Sequence, residues 1–176
     1  MIKINRDGTP NKELTKLLKD SFKKRSYVES LKFRDEELHD LFLSEDFKYY
    51  RGKSRDVYVK GKFVLKLARN RSGYSSNEDE IKYYKRSSKK RLLAKIYSYN
   101  SKNRWVIMER VDIPNNEKRI KYAEKLKKMI TDDMMKCGFD VDDIHKDNVG
   151  EKNGKPILLD YGGGLLIHPR TYRIKK

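Results

Sequence analysis

The run Asp143-Ile144-His145-Lys146-Asp147-Asn148 is followed, twelve residues after Asn148, by Asp160-Tyr161-Gly162. Two carboxylates and an amide at the ends of short predicted strands are oxygen donors of the kind a hard divalent cation takes, and Mg²⁺ with nucleotide phosphates is the natural occupant. The chemistry they point to is phosphoryl transfer. Lys66 is a fourth informative residue, because it lies inside the apolar run Phe63-Val64-Leu65-Lys66-Leu67-Ala68. Strand alternation puts it on one face with Val64 and Ala68, while Phe63, Leu65 and Leu67 cover the other. A buried ammonium needs a carboxylate or a phosphate beside it; on an edge strand it can instead snorkel to water. Glu78, Asp79 and Glu80 follow and offer carboxylates. Glu80 precedes Ile81 and faces away from the basic run, so it is the expected partner of Lys66. Glu78 and Asp79 equally suit the dipole at a helix N-terminus.

The elements that position these groups can be read from periodicity and punctuation. Residues 11 to 47 read as one or two helices, with Asn11 as a cap and Leu14, Leu17, Leu18 and Phe22, then Leu38, Leu41 and Phe42, at helical spacing. From Tyr49 the texture becomes strand-like, with a hairpin of Asp56 to Lys60 and Phe63 to Ala68 about the turn Gly61-Lys62. A helix is predicted from about Asn77, its possible cap, to Leu93. Two further strands, Ala94 to Tyr99 and Trp105 to Val111, flank the polar turn 100–103. A long helix from about Glu117 to Lys136 follows Pro114-Asn115-Asn116 and stops at Gly138. Short strands then flank Asn153-Gly154, a strong hairpin dipeptide.

Composition bounds the partners. The chain has 176 residues, 43 Lys+Arg against 26 Asp+Glu, and a formal charge of +17. Such an excess attracts polyanions, although runs such as Lys85 to Arg91 and Lys125 to Lys128 also fit solvated helix faces. Mean hydropathy is −0.96, yet 12 Tyr and 6 Phe supply enough apolar surface for a core. A single Cys137 cannot form an internal disulfide, and no run approaches the roughly 20 apolar residues of a membrane span. The expected address is therefore the cytoplasm. Abundant Lys, Asn, Ile and Tyr also fit an A/T-rich coding sequence, as in some bacteria and their phages, and a phage protein would act in its host's cytoplasm.

Taken in chain order, these pieces resemble the protein-kinase-like fold. Val57-Tyr58 and Val64-Leu65-Lys66 stand where that family has Val-Tyr and Val-Ala-Ile-Lys; Trp105 to Val111 resembles the strand and hinge; Asp143 to Asn148 resembles the catalytic loop, and Asp160-Tyr161-Gly162 resembles Asp-Phe-Gly. The His two places after Asp143 is similar to aminoglycoside, choline and lipopolysaccharide-type kinases. The resemblance implies an α+β, two-lobed fold: a helical extension at 1–47, a small antiparallel sheet with one helix at 48–112, and a reduced C-terminal lobe at 113–176. It implies ATP and Mg²⁺ as cofactors, with Lys66 on the α/β phosphates and paired to Glu80, Asp143 as catalytic base, and Asn148 and Asp160 as metal ligands. It also implies that Gly52 and Ser54 cover the nucleotide, and that Met108, as gatekeeper, with the backbone of Glu109 to Val111 meets adenine.

The departures from the pattern carry information too. The nucleotide-covering loop, Arg51 to Asp56, keeps one glycine and adds cations. Gly52-Lys53-Ser54 is not a Walker loop, since Phe47 stands where that motif needs glycine. Few residues follow Gly162, so no peptide-docking subdomain is expected. Three functions remain open: a minimal phosphotransferase acting on a protein or on itself; a pseudokinase or nucleotide-sensing module that regulates a partner protein; and nucleic-acid binding through Tyr83-Tyr84 beside Lys82, Lys85 and Arg86. His39 and His168 lack ligand spacing, and Cys137 is expected in the core.

Overall fold

The computed structural model describes residues 4–23, 36–102, 104–139, 141–142 and 144–161, and these contain four α-helices, a five-stranded sheet and a two-stranded sheet. The architecture is α+β. Two compact units share the chain: among the described residues one runs to Asn77 and takes in Lys95–Arg110, and the other takes Glu78–Ala94 and the chain from Val111 on.

The first unit is built on the sheet. Strands β1 (Lys48–Arg51), β2 (Arg55–Lys60), β3 (Phe63–Ala68), β4 (Ile96–Tyr99) and β5 (Trp105–Glu109) pair antiparallel in the order β1-β2-β3-β5-β4. Tyr58 faces Leu65 across one ladder and Leu65 faces Ile107 across the next, so one sheet face carries a continuous apolar row. Two helices cover that face, α1 (Lys12–Lys23) and α2 (Glu36–Ser44). Leu14, Leu18, Leu38 and Phe42 join Tyr58, Phe63, Leu65, Trp105 and Ile107 in one buried cluster. The N-terminal helical segment therefore shares its core with the sheet. Asn11 caps α1, accepting from the Leu14 N–H at 3.1 Å. His39 has a packing role: its Nδ1 lies 2.8 Å from the Tyr58 hydroxyl and its ring meets Tyr49 edge-on.

The third helix, α3 (Arg71–Arg86), begins six residues before the expected cap. Asn77 is buried inside it and accepts from Arg55 Nη1 at 3.4 Å, whereas the side chain of Asn70 accepts from the Gly73 N–H at 3.0 Å and caps the helix. Ser72, Gly73, Ser75 and Ser76 are weak helix formers, which is why this first turn does not read as helical. Gly73 is there for contact: a Cβ at this position would stand 2.2 Å from the Ser54 carbonyl oxygen. The helix ends at Arg86, short of the expected Leu93, and a single 3₁₀ turn at Lys90–Leu92 follows.

The second unit is organised by α4 (Asn116–Cys137), capped by the Asn115 side chain on the Lys118 N–H and closed by Gly138 at φ +84°. Its buried stripe of Ala123, Leu126, Ile130 and Met134 faces a hairpin of β6 (Val149–Lys152) and β7 (Lys155–Leu158). Asn153 and Gly154 both have positive φ, the conformation a two-residue hairpin turn requires. No described helix is long and apolar enough to cross a membrane.

Candidate functional site

Lys66 sits on β3, the central strand of the sheet, between Val57 on β2 and Val106 on β5. At 8% exposure it is an interior cation, so the edge-strand alternative is excluded. Met108 on β5 is buried. The segment after it is already hydrogen-bonded in part: the Glu109 N–H donates to Lys95 O at 2.7 Å and the Arg110 N–H to Lys62 O at 2.9 Å. Within the backbone expected to meet adenine, Glu109 to Val111, the Glu109 and Arg110 amides are thus paired inside the sheet unit.

The loop expected over Arg51 to Asp56 is shorter than its sequence suggested. β1 ends at Arg51 and β2 starts at Arg55, which leaves only Gly52, Lys53 and Ser54 between them. The Gly52 N–H donates to Arg55 O at 2.9 Å, while Arg69 Nη1 holds Gly52 O at 3.0 Å and the Arg69 N–H holds Ser54 O at 2.9 Å. Arg69 also lies 3.6 Å from Asp56, whose carboxylate accepts from the Tyr49 hydroxyl at 2.8 Å. Arg55 itself is buried, so of the loop cations only Arg51 and Lys53 face solvent. Arg69 was not singled out by sequence, because a lone arginine after a strand carries no pattern.

In the second unit the hairpin does the positioning. The β6–β7 ladder continues one step past its ends, where the Leu159 N–H donates to Asn148 O at 2.8 Å. This bond sets Asn148 beside the residue that precedes Asp160. His145 steadies Asn148 from the other side: its ring Nε2 lies 3.1 Å from the Asn148 amide, and its Nδ1 accepts from the Asp147 N–H at 3.3 Å. Arg119 of α4 reaches Asp147 at 3.2 Å, tying the turn to the long helix. Asp143 and Gly162 lie outside the described residues.

Behind Asp160 the packing is firm. Tyr161 is buried, its hydroxyl donates to Ala94 O at 2.8 Å, and its ring meets Tyr83 edge-on at 5.9 Å. Burial pushes the Tyr161 hydroxyl pKa well up, with the charge of Glu80 adding to it, so the group stays a neutral donor. Glu80 is fully buried in the middle of α3, not in its first turn, and the dipole role expected for Glu78 and Asp79 falls away with the earlier helix start. Glu78 instead pairs with Lys82 at 2.6 Å.

Tyr83 belongs to a knot that sequence reasoning missed. Asp133 of α4 accepts from the Tyr83 hydroxyl at 3.1 Å, the Ser87 hydroxyl at 2.5 Å, and the Ser88 N–H and hydroxyl at 3.0 and 2.5 Å. Burial works against its charge, but these donors outweigh it and hold the carboxyl below the usual range. Tyr83 is thus inside and bonded, which removes it as a platform for stacking bases. Cys137 is half-buried at the end of α4, not in the core; burial first, then Asp133, push its thiol up, so it is a poor nucleophile.

Asn148 and Asp160 fit a Mg²⁺ site of the open kind. Mg²⁺ is usually held by one or two carboxylates together with substrate phosphates, not by a full protein cage, and its ligands are hard oxygens such as these. No group of three or more His, Cys, Asp or Glu able to hold a metal occurs among the described residues.

Solved kinase structures share the fold. Against a co-crystal structure of WbdD with the kinase inhibitor LY294002 the TM-score is 0.50 at 16% identity, covering 68% of this chain and 33% of that one. Against the Rio2 kinase ADP/Mg²⁺-phosphoaspartate complex from Chaetomium thermophilum it is 0.51 at 18% identity, covering 76% of this chain and 53% of that one. The chain spans about a third and about half of their respective lengths. No family model matches it, and no curated protein matches it in sequence.

Proposed function

We propose that this chain, which has a protein-kinase-like fold, binds ATP with Mg²⁺ and transfers the γ-phosphoryl group to a hydroxyl of a protein, its own or another's. The observation that supports the reading is the backbone bond between Leu159 and Asn148, which sets Asn148 beside the residue preceding Asp160. In this reading Asn148 and Asp160 hold Mg²⁺, which neutralises charge on the phosphates. Lys66 engages the α/β phosphates with Glu80 as its carboxylate partner, while Met108, the Glu109 carbonyl and the Val111 N–H meet adenine, and Gly52 and Ser54 lie over the nucleotide. Asp143 takes the acceptor's proton as its oxygen bonds to phosphorus and the bond to the ADP oxygen breaks. Positioning supplies most of the rate.

Incubation with labelled ATP and Mg²⁺ tests this. Wild type is expected to label itself or a protein in a lysate, and Asp160→Ala to lose that label. Equal labelling by both, or none by either, overturns transfer.

A second reading is favoured by the Gly52–Ser54 connection, which is only three residues long and whose Gly52 N–H already donates to Arg55 O, so that few backbone donors remain to cradle phosphate. It makes the protein a nucleotide-sensing module that regulates a partner. That reading expects ATP with Mg²⁺ to raise the melting temperature while no label is transferred.

A further inference from the structure

Two adjoining cavities of about 720 and 420 Å³ open between α1 and the β4 region of the first unit, and they share Lys19 and Asp20 as walls. Together they make one furrow, wholly within that unit and built from none of the residues assigned to the nucleotide. The helix accounts for its charge. With Leu14 and Leu18 buried against the sheet, Lys12, Lys16 and Lys19 are exposed and line the furrow at spacings of four and three. A rise of 1.5 Å per residue separates them by about 6 and 4.5 Å along the helix axis. Lys95 and Lys102 line the β4 side, so five exposed lysines meet two carboxylates, Asp7 and Asp20. Asp7 is already engaged by its own turn, accepting from the Thr9 N–H at 3.0 Å and the Thr9 hydroxyl at 2.6 Å.

We propose that this furrow binds single-stranded nucleic acid, with the lysines on successive phosphates and Tyr97 as the surface against which a base packs. Aromatic rings with cations beside them line both parts. Lys95 Nζ is 5.5 Å from the Tyr97 ring centroid, and the Phe22 ring has the Arg104 guanidinium at 5.5 Å, a buried cation that also donates to Phe22 O at 3.4 Å and so builds the wall while the exposed lysines meet phosphate. Rings and cations along one charged groove are what a flexible strand requires, since bases stack while phosphates pair. A duplex is read by an element that projects into its major groove. Here the lysines line a recess beside β4, which suits a single strand. An acidic peptide would use the cations but not the rings.

The test is fluorescence anisotropy with labelled oligothymidylate and oligouridylate at low and rising salt. Replacing Lys12, Lys16 and Lys19 by Ala together is expected to weaken binding about tenfold or more and to reduce the salt slope by about 2, at about 0.7 per phosphate for single strands. Replacing Lys125, Lys127 and Lys128 by Ala removes the same charge from exposed positions of α4 and is expected to change little. Tighter binding of either oligonucleotide supports the proposal and identifies the preferred sugar. Equal loss in both triple variants overturns it in favour of net charge alone, and absence of binding to either oligonucleotide overturns it outright. Competition by polyglutamate as strong as by oligonucleotide overturns it in favour of an acidic peptide. A 4-thiouridine photocrosslink in unmodified protein is expected within Lys95–Ser98; crosslinks confined to other segments overturn the assignment. Because ATP has no part in either readout, failure here leaves the phosphotransferase reading untouched.

Discussion

Asp133 shows how one residue can decide the stability of a region without touching the candidate site. A carboxylate this buried is tolerated because Tyr83, Ser87 and Ser88 surround it with donors. Asp133→Asn keeps the shape but loses the ion and puts an NH₂ donor where one acceptor stood, so the hydroxyls must turn to accept and a loss of about 2–4 kcal/mol is expected in urea unfolding. The pH dependence has a definite sign. The folded carboxyl lies below its ordinary value, so its contribution is complete above the usual carboxylate range and fades as pH falls through that range toward the lower folded value. Wild type is therefore expected to lose more stability than Asp133→Asn on acidification below about pH 4. Parallel acid titrations of the two proteins would refute this if their curves stayed the same distance apart.

Among the elements, α3 and the β6–β7 hairpin place most of the candidate residues of the second unit. The start of α3 rests on Gly73 and its close approach to the Ser54 carbonyl, which also anchors the turn over Gly52–Ser54. Gly73→Ala sets two effects against each other. Alanine favours a helix by about 1 kcal/mol. A methyl pressed to 2.2 Å from a backbone oxygen, with no flexible side chain to yield, forces the turn and helix apart and costs about 1–3 kcal/mol. The clash wins, so a net loss of stability in urea melts is expected; a stabilised variant would show that the contact is looser than this. The hairpin depends on Asn153-Gly154, whose paired positive φ angles set the register that continues to Asn148 and Leu159.

At the scale of the whole molecule, the nucleotide reading predicts linkage. ATP with Mg²⁺ at a hundred times its dissociation constant is expected to stabilise the protein by about 2.7 kcal/mol, and Lys66→Met to abolish that gain. Calorimetric scans with and without nucleotide would contradict the reading if the variant kept the wild-type shift. Much of this molecule was legible beforehand from local rules. Alternation placed Lys66 in a strand, Asn11 and Gly138 marked helix ends, Asn153-Gly154 marked a hairpin, and ordered motifs indicated the kinase-like fold. Caps, turns and alternation act over a few residues, so a single sequence displays them. Only the tertiary structure decided that Lys66 is central in the sheet, that α3 starts at Arg71, that Tyr83 faces Asp133 and that Asn148 adjoins Leu159. It also collected the lysines of α1 and β4 into one furrow. The neighbours of Lys66 on β5, the pairing of Tyr83 with Asp133 and the meeting of α1 with β4 join residues far apart in the chain, and no periodicity within a window can contain a contact between two of them.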